Sequence, residues 1–265
     1  MFDPAKVCLF IPGNLKKFKL DLFERVGREI VRLGGRVIRA SVANLEALPD
    51  EVVPIVGCMP ELTETILRWK ARGRKRIQWD RGYARRVFAT YLPRGVNGGF
   101  YRWHIDGFQL RRIDPYPDDR WKKLDIEVKP WRKGGRHILV LAPTPTYQKF
   151  HAIEGWFEQT LRDLAPLTDR QIVVRFKDSK RPLQEDLEGA HCAVAHGSIA
   201  AVEAAILGCP VFDHKESAAA LVGLTDLKRI ETPIYPDRQP WLNAMAYSQF
   251  DERELVDGTL WRLIT

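Results

Sequence analysis

The stretch HCAVAHGSIAAVEAAILGCPVF, residues 191–212, carries the clearest chemistry in this sequence. An apolar run, His191–Ala195, leads into His196-Gly197-Ser198, where small residues let a ligand approach the backbone and Ser198 can cap a helix starting at Ile199. A helix N-terminus presents free N–H groups and partial positive charge, which suits a diphosphate. Glu203 lies four positions after Ile199 and three after Ala200, so its carboxylate shares that first-turn face and can accept hydrogen bonds from ribose hydroxyls. The plainer alternative is the strand-turn-helix of any doubly wound domain, with Glu203 simply exposed. A second stretch suggests another chemistry. Residues 68–112 hold 13 Lys/Arg and nine aromatics but only two acids, Asp80 and Asp106. Cations neutralise phosphates and aromatic faces stack on bases, so this is the mixture a nucleic-acid surface needs. Arg-rich helix faces are otherwise merely solvated.

The elements that must position these residues follow from apolar periodicity. Lys6–Ile11 is a β-branched run ending in Pro12-Gly13-Asn14, a strand and a tight turn. Leu22, Val26, Ile30 and Leu33 recur at helical spacing within Leu15–Leu33, and Gly34-Gly35 supplies the stop. Strands Arg36–Val42 and Val52–Gly57, a helix Glu61–Ala71 and a strand Lys75–Trp79 follow, with a further strand over Phe100–Leu110. Pro115, Pro117, Pro130 and a run of charges mark 114–135 as a linker. The alternation then restarts: strand His137–Ala142, helix Ala152–Leu164, strand Gln171–Phe176, helix Leu183–Glu188, strand His191–Ala195, helix Ile199–Leu207 and strand Pro210–Phe212. Two helices, Pro240–Gln249 and Glu252–Leu263, close the chain. Alternating apolar strands and helices predict an α/β fold with parallel sheets covered on both faces.

The 265 residues suit two domains, and 45% hydrophobic with 29% charged residues is a globular balance that excludes a disordered, collagen-like or disulfide-scaffold chain. The net charge is +8, and it is unevenly spread: residues 1–134 hold 28 cations and 16 anions, residues 135–265 hold 14 and 18. A polyanionic partner therefore belongs to the N-terminal half. Cys8, Cys58, Cys192 and Cys209 form no C-x-x-C pair, and no histidine spacing suits a metal, so the expectation is a cytoplasmic protein with neither disulfide nor metal. No run of 18 apolar residues predicts a membrane span.

HGSIAAVEAAILGCPVF resembles the donor-binding C-terminal half of GT-B glycosyltransferases, in which a small-residue turn, a helix bearing a ribose-binding Glu and a Gly-x-Pro-Val strand follow one another. QWDRGYARR at 78–86, RFKDSKRPLQEDL at 175–187, the 216–242 segment, and AMAYSQF with DGTLWRLI after it resemble a group of phage-encoded glycosyltransferase-like proteins. The resemblance implies two Rossmann-like domains facing a cleft, with C-terminal helices: residues 1–130 for the acceptor and 131–265 for the nucleotide-sugar. It places the donor, a UDP-sugar first, against Arg175, Lys177, Lys180, Arg181, His196, Gly197, Ser198, Glu203, Ser217 and Ala218. The cations would hold the diphosphate leaving group without a metal or other bound cofactor.

Transfer to a hydroxyl needs a group that takes its proton as the sugar carbon becomes positive. Asp80, after a strand and among cations, is the first expectation, with a structural ion pair as the equal alternative. His104 with Asp106, on one strand face, is the second pair, Asp106 orienting the imidazole. Arg76, Arg81, Tyr83, Arg85, Arg86, Arg102 and Trp103 would form the acceptor or nucleic-acid surface. The leading expectation is a sugar transferred to hydroxymethylated pyrimidine in phage DNA, inside the infected host cell. A glycan or small acceptor, and a non-catalytic nucleic-acid-binding protein on the same scaffold, are the alternatives. Oligomeric state is left open.

Overall fold

The computed structural model describes residues 3–12, 17–39, 42–85 and 99–264. In chain order they form β1 (Val7–Phe10), α1 (Lys17–Arg32), β2 (Arg36–Ile38), α2 (Val42–Glu46), β3 (Val53–Gly57), α3 (Thr63–Ala71), β4 (Ile77–Arg81), β5 (Phe100–Ile105) and α4 (Asp119–Leu124). There follow β6 (His137–Leu141), α5 (Pro145–His151), α6 (Trp156–Leu164), β7 (Gln171–Arg175), α7 (Leu183–Leu187), β8 (Ala190–Val194) and α8 (Ile199–Ile206). The last are β9 (Val211–Phe212), α9 (Gln239–Tyr247), β10 (Gln249–Asp251) and α10 (Thr259–Leu263). The chain is α/β with two Rossmann-like units, the class its alternating pattern predicts. Among the described residues no helix is long and apolar enough to cross a membrane.

The first unit takes the described residues of Met1–Gly82, Gly95–Phe108 and Ser248–Thr265; the second takes those of Tyr83–Arg94 and Gln109–Tyr247. The division expected at 130/131 therefore differs at both ends, because residues 109–130 join the second unit and the C-terminal segment returns to the first. In the first unit the sheet order is β10-β5-β4-β3-β1-β2, parallel from β2 to β4 and antiparallel at β5 and β10. β1 and β3 are buried along their whole length, as their unbroken apolar runs require. After α1, Gly34 takes φ +88° and the Gly35 N–H reaches back to the Ile30 carbonyl at 2.9 Å, so the double glycine does stop the helix. Phe23 packs on Trp79 with ring centroids 4.0 Å apart, within a core that includes Tyr101, Trp103, Phe250 and Trp261.

Several local expectations in this unit and its neighbour change: β2 ends at Ile38 and Val42 starts α2, and the helix expected from Ala152 begins at Trp156 because Ala152 is the left-handed C-cap of α5. β5 stops at Ile105 rather than 110, because Asp106 is left-handed (φ 59°) and its Oδ1 accepts the Arg76 N–H at 3.0 Å. The helix expected over Glu252–Leu263 is helical only from Thr259: Gln249–Asp251 pairs with β5, and the Asp251 carboxylate then accepts the Arg253 and Glu254 N–H groups at 2.9 Å each. The 114–135 stretch is no free linker. It carries α4, Tyr116 stacks on Tyr247 at 4.4 Å, and the Tyr247 hydroxyl donates to Asp119 at 2.8 Å.

The second unit's sheet runs β7-β6-β8-β9, all parallel. The chain steps from β6 outward to β7 and then back to β8 on the other side, so the order reverses between β6 and β8. Loops diverge at such a point and leave a crevice at the carboxyl ends of the strands. Below it α8 is buried from Ala201 to Ile206. Its last carbonyls are met by the buried Arg238 guanidinium, which donates to Ala205 and to Lys129 and stacks on Trp131 at 4.0 Å. The helix that the loop introduces is thus held from its far end.

Candidate functional site

At the reversal point the loop after β8 faces the start of α5. Gly197 has φ +65°, and a Cβ there would stand 2.3 Å from the Tyr147 hydroxyl, so the turn needs glycine both for its backbone and for its space. Ser198 caps α8 as expected, its Oγ accepting the Ala200 N–H at 3.2 Å. Thr144 caps α5 in the same way, accepting from Tyr147 at 3.2 Å. His196 is buried, and among the described residues its Nδ1 has no hydrogen-bond partner. Its ring stacks on His214 at 4.4 Å and meets Trp156 at 5.5 Å, Tyr147 at 6.2 Å and His151 at 6.4 Å. Half-buried rings from α5, α6 and the loop after β9 therefore gather round one imidazole.

Beneath them two buried side chains hold the loops. Asp213 Oδ1 accepts the Gly197 N–H at 2.6 Å and the His214 N–H at 2.7 Å, and Oδ2 accepts the Ser217 hydroxyl at 2.6 Å. Gln109 donates its amide N–H to the Gly197 carbonyl, while its Oε1 accepts the Ala218 N–H at 2.9 Å. Burial pushes the Asp213 carboxyl up to about 6, against the pull of its bonds from Ser217, Gly197 and His214. Burial, then the neighbouring His214, holds the His196 imidazole down at about 4, so it is neutral at pH 7.

These two shifts oppose each other in the pH dependence of stability. Between about 4 and 6, folded Asp213 keeps a proton that its unfolded counterpart has lost, and stability falls as pH rises. Between about 4 and 6.5, folded His196 lacks a proton that the unfolded chain carries, and stability falls as pH drops. Asp213→Asn keeps an oxygen for both N–H groups and offers an N–H to Ser217 Oγ, so it removes the first dependence with little loss of geometry. Melting temperatures from pH 6 to 4 are expected to fall more steeply for this variant than for the unaltered chain; parallel curves would contradict the assignment.

The expected donor residues fall into two groups. His196, Gly197, Ser198, Ser217 and Ala218 are brought together round Asp213 and Gln109. Arg175 and Arg181 are organised round Asp186 instead. Arg175 is buried, donates to the Asp186 carboxylate and to the Arg181 carbonyl (2.8 Å), and so is committed inside the fold rather than offered to a diphosphate. Arg181 Nε lies 3.5 Å from both Glu185 and Asp186; Lys177 and Lys180 are exposed. Glu203 is fully buried, not on an exposed helix face.

The expected acceptor surface is largely core. Trp103 and Tyr83 are each 1% exposed, and Trp69, Trp79 and Tyr101 are buried too, so none of these rings can stack on a base. Arg102 is buried and reaches Asp80 Oδ2 at 2.7 Å and the Arg81 carbonyl at 2.8 Å; the Arg81 N–H takes Asp80 Oδ1 at 2.7 Å. Both Asp80 oxygens are therefore engaged, one in an ion pair with Arg102 and one with the Arg81 N–H, while the side chain stays 36% exposed. Arg76 is buried, bonding Gln78 and the Asp106 carbonyl. Asp106, past the strand's end, holds the Arg76 backbone instead of following the strand alternation that would set it beside His104, itself buried. Arg85 donates to the Leu124 and Asp125 carbonyls, Arg81 is exposed, and Arg86 lies outside the described residues. Tyr83→Phe removes the hydroxyl that accepts the buried Leu110 N–H at 2.6 Å. It is expected to cost about 1–3 kcal/mol in a denaturant titration.

Sequence reasoning missed Tyr147, His151, Trp156, Asp213, His214 and Gln109. Asp213-His214 follows the apolar Pro210–Phe212 run as His196 follows its own strand, and that repeated position was a usable signal. Gln109 has none, being 88 residues from its partner Gly197.

No protein-family model matches the chain, and no curated protein does. Among solved structures, the chain is similar to the β-Kdo 2,7 transferase of Thermosulfurimonas dismutans KpsC, at 11% identity and a TM-score of 0.53, over 97% of this chain and 99% of that one. It is also similar to the β-Kdo 2,4 transferase of the same KpsC, at 13% identity and a TM-score of 0.48, over 92% of this chain and 91% of that one. The first likeness shows a shared, glycosyltransferase-like fold.

Proposed function

We propose that this chain is a glycosyltransferase that takes a sugar from a nucleotide-activated donor and transfers it to an acceptor hydroxyl. The observation that carries the reading is the built loop at the second sheet's reversal point: a left-handed Gly197, a capped α8 and a buried, neutral His196 held in a ring of half-buried aromatics. A capped helix N-terminus beside planar rings suits a nucleotide, and the fold shared with a β-Kdo 2,7 transferase supports the same class of reaction. The donor's phosphate charge would be met by the loop and the α8 N-terminus rather than by Arg175.

For the acceptor, the buried aromatics of β4 and β5 favour a glycan or small hydroxyl compound over a base in DNA. The DNA alternative rests on the exposed Lys70, Arg72, Lys75 and Arg81. The test is transfer from labelled UDP-glucose, UDP-N-acetylglucosamine and activated Kdo, the sugar named for the structural neighbour, to oligosaccharide acceptors and to hydroxymethylated DNA. Transfer to the saccharides and not to DNA is the expected result. Transfer to DNA that falls steeply between about 50 and 200 mM salt would establish the alternative. A folded chain that transfers to neither would overturn the proposal.

A further inference from the structure

Gly197 is held in an unusual way. Its N–H and its carbonyl are bonded neither to the sheet nor to the helix they lie between, but to two buried side chains from elsewhere in the second unit, Asp213 and Gln109. Each of those side chains also grips the loop after β9: Asp213 through the His214 N–H and the Ser217 hydroxyl, Gln109 through the Ala218 N–H. Glycine has the most backbone freedom to lose, so a left-handed glycine fixed on both sides of its α-carbon is one whose conformation the fold has specified in advance. Asp213 and Gln109 are 4% and 7% exposed, covered by the loops they hold rather than offered to solvent.

We infer that Gln109 and Asp213 are the positioning residues of the donor loop: they touch no ligand, and they hold the loops after β8 and β9 as one rigid platform on which the nucleotide-sugar docks. The inference rests on the donor-site reading above. Gln109 is the sharper half of the pair, because its amide does two opposite things at once, donating to Gly197 and accepting from Ala218. A glutamate at the same position keeps the acceptor and loses the donor while ionised, and regains an O–H donor when protonated.

That chemistry gives the test. Donor affinity is measured from pH 8 to pH 5 for the unaltered chain, Gln109→Glu and Gln109→Met, using whichever of UDP-glucose, UDP-N-acetylglucosamine and activated Kdo binds the unaltered chain most tightly. At pH 8 both variants are expected to bind about tenfold more weakly. At pH 5, relative to the unaltered chain at the same pH, Gln109→Glu is expected to recover to within about threefold and Gln109→Met to remain weak. Amide exchange of the segment 195–201 supplies a readout that needs no ligand, and is expected to quicken in both variants at pH 8. Binding by the unaltered chain that neither variant disturbs overturns the positioning role alone, as does unchanged exchange. A folded, unaltered chain that binds none of the three sugars overturns the donor-site reading and removes the platform's purpose. If Gln109→Met fails to fold, the pH-dependent recovery of Gln109→Glu decides the matter by itself.

Discussion

Arg175→Ala is expected to lower the unfolding free energy by about 3–5 kcal/mol, the cost of breaking a buried ion pair from one side. The cation stands at the end of β7, where sequence reasoning offered it to a diphosphate. Its side chain and that of Asp186 are only 5% and 8% exposed, and the guanidinium also holds the Arg181 carbonyl at 2.8 Å and lies 3.4 Å from Ser179 Oγ. Without it, Asp186 is left buried with the more distant Arg181 Nε, at 3.5 Å, as its remaining cation among the described residues. At roughly 2–4 °C per kcal/mol for a domain of this size, the melting temperature should fall by about 6–20 °C. Replacing both partners, Arg175→Met with Asp186→Leu, should recover most of the loss, because no buried charge then remains. A variant that melts like the unaltered chain and loses only donor affinity would show that Arg175 is a ligand contact after all.

Gly197→Ala is expected to weaken donor binding by tenfold or more while the fold persists. A left-handed alanine costs about 1–2 kcal/mol in backbone strain. Its Cβ would also meet the Tyr147 hydroxyl at 2.3 Å, so either α5 or the loop must move. The loop is the part tied to His196 and to the α8 cap, and movement there spoils the docking surface. Tyr147→Phe separates the two costs. With the hydroxyl gone the nearest ring carbon is 3.5 Å away, an ordinary contact, and only the Gln109 amide nitrogen at 3.3 Å must give slightly, so Tyr147→Phe/Gly197→Ala should bind the donor better than Gly197→Ala alone. Isothermal titration of the three variants checks this, and equal affinity in the single and double variants would place the loss in the backbone and the Gln109 contact rather than in the Tyr147 hydroxyl.

What was legible in the sequence was local. The run from His191 to Phe212 announces strand, turn and capped helix through neighbours a few residues apart, and those elements stand where the pattern puts them. The basic and aromatic stretch was misread because composition does not reveal burial. Tyr101 and Trp103 flank Arg102, which is itself buried once it finds a carboxylate and a carbonyl, and Trp79 joins them in the core, so one mixture of residues serves a core as well as a surface. The remaining misses are non-local. β10 is a strand only because Gln249 meets Arg102 across β5, and no periodicity in three residues announces that. Gln109 joins a loop that the chain reaches much later, and the site's two anchors, Gln109 and Asp213, become visible only when the loops close on them. Charge asymmetry between the halves is real in the sequence, yet it does not identify a partner, and two of the cations it counts, Arg76 and Arg102, are internal.

The central claim, that the second sheet's reversal point is a nucleotide-sugar site, is tested most directly by the melting temperature of the unaltered chain against increasing UDP-glucose, UDP-N-acetylglucosamine and activated Kdo. A ligand that binds only the folded state stabilises it by about 2.7 kcal/mol at a hundred times its Kd. At least one of the three is expected to raise the melting temperature in a saturable, one-site manner, and Gly197→Ala to need about tenfold more of it for the same rise. A well-folded chain whose melting temperature none of the three moves at millimolar concentration, or one moved equally with and without the Gly197 substitution, would contradict it.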